Sequence, residues 1–330
     1  MRYREIDVFK GILVLQMILA HCFHFFVSLY PGTWENAVSD YINLTTFSGF
    51  IFAYGFAAWF AYVQKDYKVI LPRLISSILK MLAAYYISAF AFRIFIDGIF
   101  INWNNILDIL LLRSLAGWSE FLLSFAAVMV LILCFQPLMK KAGKYLPLIV
   151  AVVAVIAVLI PLRTSNTIVA TFIGQAPFAV FAVIPYCIYL ALGIYIAQSE
   201  GKLKPWMVIA TCVGTAGFVA VYLIFGMPSR FPLSLPWLLG ASAFITLYYF
   251  VSKLIAGRKF SKWIEDIGKN SLFYLLMSNI FIFALRSSNF SRLNTTFALI
   301  VFVVFVLMIM YLEKIIVKSK LAKLSEKYSQ

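Results

Sequence analysis

Apolar runs of about 20 residues recur along the whole chain, separated by short polar connections. A helix of that length covers the ~30 Å hydrocarbon core of a bilayer. The runs lie near 9–29, 44–63, 72–96, 119–138, 146–162, 173–197, 205–226, 234–254, 267–285 and 295–316. Backbone groups in lipid must be paired within the segment, so each run is expected as a helix. The expected fold is all-α, a polytopic transmembrane bundle of about ten helices that forms one domain over 1–330. Composition excludes the soluble alternative: 12% of residues are charged and 63% are hydrophobic, against about 25% charge in a soluble domain.

Charge placement orients the bundle. With the N-terminus inside, the cytoplasmic connections carry clusters such as Lys65, Lys68, Lys140, Lys141, Lys202 and Lys204. Of the 28 Lys and Arg, only Arg93, Arg113, Arg163, Arg230, Arg286 and Arg292 fall at the opposite side, and Lys80 lies within a span. That asymmetry follows the positive-inside rule and puts both termini in the cytoplasm, in a cell (inner) membrane. The formal net charge of +15 is therefore read as orientation and contact with anionic lipid rather than as a nucleic-acid surface. The basic segment 313–330 is expected as a short helix at the inner surface. Residues 104–117, interrupted by Asp108 and Arg113, are too short to span comfortably and are expected to be re-entrant or interfacial. Asp7 in the charged region ahead of the first run points to a retained helix rather than a signal peptide.

Cys22, Cys134, Cys187 and Cys212 all lie inside expected spans, so packing is their default role. The cluster His21-Cys22-His24 lacks a fourth ligand, and no metal site is expected.

The only two histidines, His21 and His24, sit in the first span. Lys10 and His21 are eleven residues apart, three turns plus ~20°, so Asp7, Lys10, Val14, His21 and His24 share one helix face. Lys10 is then at the cytosolic interface and His21 ~16 Å further in. Ionisable groups at that depth usually face a bundle interior or a wet cavity. A histidine bonded to a neighbouring helix for structural reasons accounts for the same pattern.

The stretch Arg4-Glu5-Ile6-Asp7-Val8-Phe9-Lys10-Gly11, followed by His21, resembles the opening of the membrane acyltransferases. These are the bacterial polysaccharide O-acyltransferases of the acyltransferase-3 family and relatives of heparan-α-glucosaminide N-acetyltransferase. Further similarities follow in the family's order: Phe47-Ser48-Gly49-Phe50, Pro72-Arg73 before a long helix, Arg230-Phe231-Pro232, and Ile267-Gly268-Lys269-Asn270-Ser271-Leu272. The chain departs at Tyr274-Leu275-Leu276-Met277, where the family often carries a histidine, and Pro232-Leu233 stands where Pro-Pro is usual.

The resemblance implies transfer of an acyl group, acetyl foremost, from cytosolic acyl-coenzyme A to a hydroxyl or amine of a cell-envelope glycan or another acceptor at the membrane. His21 is the implied general base, because a neutral imidazole suits that task. His24 would support the acceptor. Lys10 and Arg73 would form a basic collar for the donor's phosphates, with Lys80 deeper and Asp7 orienting Lys10 from one turn away. Arg73 is equally explained by interface anchoring. Glu120 would bind a sugar hydroxyl or relay a proton, or simply cap its helix. Arg93, Arg113 and Asp97 would hold an anionic glycan or pair with each other, and Trp34, Trp103, Trp118 and Tyr54 would stack on sugars or form the interfacial belt. The competing readings are an exporter of a glycan or small solute, favoured by Gly and Pro breaks from Gly174 to Pro185 and by a buried Lys80, and a catalytically silent relative.

Overall fold

A computed structural model describes residues 3–99, 102–113, 115–160, 162–175, 180–287 and 294–328, with side chains, Gln175 apart, as far as 316. Arg2, Arg292, positions 176–179 of the Gly174 to Pro185 stretch, and the side chains of the basic tail beyond 316 lie outside that set.

The apolar runs are helices. In chain order they are α1 (Arg4–Phe26), α2 (Trp34–Ala58, continued by a π-helical turn Trp59–Val63), α3 (Tyr67–Phe95), α4 (Trp103–Leu110), α5 (Glu120–Ala142), α6 (Leu146–Leu159), α7 (Thr167–Phe172), α8 (Val183–Gln198), α9 (Pro205–Phe225), α10 (Leu235–Gly240), α11 (Ser242–Ile255), α12 (Lys262–Lys269), α13 (Ser271–Ser287) and α14 (Thr295–Tyr328). The one ladder among the described residues is a two-residue parallel pair, β1 (Leu162–Arg163) with β2 (Gly174–Gln175).

Seven helical stretches among the described residues are long and apolar enough to cross a membrane, or eight if the bent pair Lys259–Lys269 and Ser271–Ser287 is one span. The expectation of about ten differs from that number at three places. Glu120–Leu159 counts as one 40-residue stretch, although Gly143 with φ +51° divides α5 from α6. A straight helix of that length would be ~60 Å, twice the hydrocarbon thickness. The run expected at 173–197 is helical only over the 16 residues of α8. The run at 267–285 bends by 75° at Asn270, so its signature Ile267-Gly268-Lys269 belongs to the short helix α12 rather than to α13. The segment 104–117 contains the eight-residue α4, too short to cross, with Ile109 as its buried residue.

α1 is the hub of the bundle, packing against α2, α11, α12, α13 and α14. α8 lies between α2 and α6, and α3 packs on α5 and α13. Without a hydrophobic drive between helices in lipid, close backbone approach through small residues supplies the packing. Two crossings use it. A Cβ on Gly11 would lie 2.1 Å from the Ile264 carbonyl oxygen, and one on Gly268 would lie 1.7 Å from that of Asp7. At the second crossing an added Cβ on Gly55 or Gly193 would lie 2.2 Å from the carbonyl oxygen of Leu190 or Phe52 respectively. Arg4 adds an ion pair to the buried Glu265 at 3.0 Å. The segment carrying Asp7 and Lys10 is thereby fixed against α12.

Candidate active site

The C-terminal half of α1 faces a cavity of about 340 Å³ at the end of the bundle where α1 ends and α2 and α5 begin. His21 and His24 enter it from α1, Asn43 and Thr46 from α2, Trp118 and Glu120 from the start of α5, Arg230 and Phe231 from the connection before α10, and Asn279 from α13. With Phe181 from the connection ahead of α8, the chain brings six separate segments to one point.

Hydrogen bonds assign the histidine tautomers. Asn279 donates from Nδ2 to Ser88 Oγ at 3.2 Å and to the Trp118 carbonyl oxygen at 3.4 Å. That carbonyl can only accept, so the amide nitrogen faces it and the amide oxygen faces His21. The Asn279 Oδ1 lies 3.0 Å from His21 Nδ1. An oxygen that only accepts requires the proton on Nδ1, which leaves the lone pair on Nε2. No hydrogen-bond partner among the described residues engages that Nε2. His24 differs: its Nε2 is taken by Ser39 Oγ at 2.8 Å and Asn43 Nδ2 at 3.3 Å.

Trp118 closes the pair from one side. Its ring centroid is 4.9 Å from that of His21 and 4.9 Å from that of His24. Its backbone sits at φ +65°, a conformation costly for a bulky residue and stored where surrounding contacts enforce it. Ser119 Oγ, donating to Ser88 Oγ at 2.8 Å, extends the buried polar network between α3 and α5. The indole thus packs against imidazoles rather than standing free at an interfacial belt, whereas Trp34 and Trp103 are exposed.

Glu120 Oε2 is sealed from solvent without a hydrogen-bond partner, although the carboxylate lies close to the backbone N–H groups of residues 118 to 120. Its place as a first-turn acid and its place in the cavity coincide. The Arg230 guanidinium packs over the rings of both Phe181 (4.9 Å) and Phe231 (4.8 Å), which meet each other edge to face, and its Nε is sealed and unpartnered. Burial disfavours its charged form, against the opposing pull of Tyr186, Glu120 and Asp40.

At the opposite end of α1 a second cavity, of about 460 Å³, is lined by Tyr3, Asp7, Lys10, Phe56, Phe60 and Lys65 among others. Lys10 Nζ meets Asp7 Oδ1 at 3.0 Å, the one-turn pairing that the spacing allowed. The polar stripe of α1 is continuous on the helix but divided in space. Lys10 lines one cavity and Met17 the other, while Leu13 and Val14 between them are fully buried.

The structure unites His21, His24 and Glu120, and separately Asp7 with Lys10. Arg73 and Lys80 line neither cavity, and both are exposed. The reading of Lys80 as buried is corrected: α3 turns Ile70, Leu74, Tyr85 and Ser88 inward, and Lys80 falls on its outward side. The collar of Lys10 and Arg73 is likewise not closed in this arrangement. Arg93 pairs with Asp97 at 2.6 Å and also donates to the Leu115 carbonyl at 2.8 Å, and Arg113 stands 3.9 Å from Asp108. Among the described residues no group of three or more His, Cys, Asp or Glu is arranged to hold a metal. Asn279, Asn43 and Ser39 were not foreseen as site residues, and Arg230 was read only as an outer-side cation and part of a loop motif. Asn279 stands in the helix where the family's late histidine is absent, five residues after Tyr274.

In comparison with known proteins, the family model described as an acyltransferase domain, the acyltransferase-3 model, matches residues 3–313. No curated protein and no solved structure matches the chain significantly.

Proposed function

The chain belongs to the acyltransferase-3 family, and from that membership and the His21 cavity we propose that it is a multi-pass enzyme of the cell membrane that moves an acyl group, acetyl foremost, from cytosolic acyl-coenzyme A to a hydroxyl of a cell-envelope glycan. The observation that carries the reading is His21: its Nδ1 is tied to Asn279 at 3.0 Å, and its free Nε2 lies in a cavity of substrate size.

In the proposed step, Nε2 accepts the acceptor hydroxyl's proton as that oxygen attacks the thioester carbonyl carbon. The carbon–sulfur bond then breaks, and the leaving thiolate takes the proton from the imidazolium. An ester and the free thiol result, and the histidine is returned neutral. The Lys10 cavity, with Asp7 orienting the ammonium and Lys65 beside it, suits the donor's phosphates. From Lys10 to His21 the helix rises ~16 Å, a distance matched to the donor's pantetheine arm. Both termini are assigned to the cytoplasm, with about ten crossings, on the strength of the Lys and Arg distribution. The exporter reading loses the buried cation that favoured it, since Lys80 is exposed.

The test is His21→Gln in the purified, membrane-inserted protein. Gln keeps a polar side chain of similar reach, so folding and donor binding should persist while transfer falls ~100-fold or more. His24→Gln should be milder. Near-normal transfer by His21→Gln would overturn the base assignment, and full activity of both variants would end the histidine mechanism.

A further inference from the structure

One cation in the His21 cavity feels the Glu120 and Asp40 carboxylates but pairs with neither. Arg230 presents five N–H donors, yet among the described residues it makes no hydrogen bond and no ion pair. Its two close neighbours are the faces of Phe181 and Phe231. Aromatic faces hold a cation but accept no in-plane hydrogen bonds. Its Nε is sealed from solvent without a partner. A guanidinium held in this way costs free energy unless an anion answers it. Glu120 lines the same cavity but is not within ion-pair distance, and its Oε2 is unpartnered as well. The protein lines one space of about 340 Å³ with a cation and a carboxylate that do not pair, near the lower end of small-molecule sites, which run from roughly 300 to 1,000 Å³. That space suits a single sugar unit.

We infer that the acceptor is an acidic sugar, one bearing a carboxylate or phosphate group that Arg230 binds bidentately while a neighbouring hydroxyl meets His21. This rests on the reading of the cavity as the acceptor site. Guanidinium matches the planar geometry of carboxylate and phosphate oxygens, and the bond strengthens where water is excluded. The donor is anionic too, but its phosphates have the Lys10 cavity at the far end of α1. Arg230 therefore answers a different anion. Glu120, in the same lining, repels a second negative group and accepts from a hydroxyl, which gives the site a direction.

Three probes share one ring and differ at a single position: glucose, glucuronate and glucose 6-phosphate. Their binding to the full chain in detergent is measured by thermal shift, with NaCl matched for ionic strength. Glucuronate, glucose 6-phosphate or both should raise the melting temperature of the wild type and of His21→Gln, and glucose should not. Arg230→Gln should weaken the anionic probe's half-saturation at least tenfold, and Arg230→Lys should retain part of the preference. Equal behaviour of all three probes with the wild type overturns the inference, as does an intact preference in Arg230→Gln. If transfer to neutral and anionic acceptors falls equally in Arg230→Gln, the residue serves the reacting carbonyl and the inference fails. An intact anion preference in a chain whose transfer survives His21→Gln would instead defeat the base assignment and leave the acidic-ligand site standing.

Discussion

Asn279 Oδ1 lies 3.0 Å from His21 Nδ1, and the same amide's nitrogen points at the Trp118 carbonyl. The two contacts leave the amide one orientation and the imidazole one tautomer. An Asn on α13 therefore selects which nitrogen of a histidine on α1 is basic.

Asn279→Leu should lower kcat by ~100-fold or more, the order that a correctly positioned general base contributes, with the donor's KM little changed. Asn279→Asp, which still accepts from Nδ1, should recover part of the rate. The chain has two histidines, so selective nitrogen-15 labelling can follow both tautomers by NMR. A mixed His21 tautomer in Asn279→Leu is expected, and an unchanged spectrum and kcat would remove the positioning role.

Lys10 should matter more to donor binding than Arg73 does. Lys10 lies in a cavity and is oriented by Asp7, whereas Arg73 is exposed. Loss of one charge-assisted contact in a sheltered site is worth about 1.5–3 kcal/mol, so Lys10→Gln should weaken coenzyme A binding about tenfold or more. Arg73→Ala should weaken it less, because exposed charge contacts are worth little. Calorimetric titration of both variants decides the order, and a larger loss in Arg73→Ala would return that residue to the donor site.

Gly268→Ala and Gly11→Ala should each destabilise the protein by about 1–3 kcal/mol or more. The added Cβ meets backbone oxygen, at 1.7 Å from Asp7 and 2.1 Å from Ile264, and backbone cannot swing aside as a side chain can. Gly217→Ala is the control. Nothing lies within 4 Å of the added atom, so helix propensity should make it neutral or stabilising by up to about 1 kcal/mol. Melting temperatures in one detergent compare the three, and tolerance of Ala at position 268 would contradict the close crossing.

Orientation is tested by surface labelling after the four native cysteines are replaced. Single cysteines at Pro31 and Ser165 should react with an impermeant maleimide applied from outside. Cysteines at Lys202 and Lys65 should react only after the membrane is opened. Outside labelling at Lys202 would overturn the inner termini.

The helices, the shared face of Asp7, Lys10 and His21, and the short α4 were legible because each depends on local spacing and hydropathy. The spans near 119–162 and 267–285 were less so. A positive φ at Gly143 and a 75° bend at Asn270 change the direction of the chain without changing its apolarity. Lys80 was misread because hydropathy marks a span but not which of its sides meets other helices. Asn279, Asn43, Ser39 and Arg230 come from two different helices and a connection, and nothing in their own neighbourhoods announces that they converge. The motif glycines were visible as a resemblance, but their reason, contact between the Gly11 and Gly268 segments, exists only once α12 crosses α1.

Leu13 and Val14, fully buried between the two cavities, have a consequence for the cell rather than for the substrate. An enzyme that draws its donor from one water phase and its acceptor from the other is a potential leak for protons and ions. A packed hydrocarbon layer across that route is an insulator. Under the proposed function, a donor arm threading past that layer would fill the gap it opens, so the substrate would serve as its own stopper and the electrochemical gradient would survive each turnover.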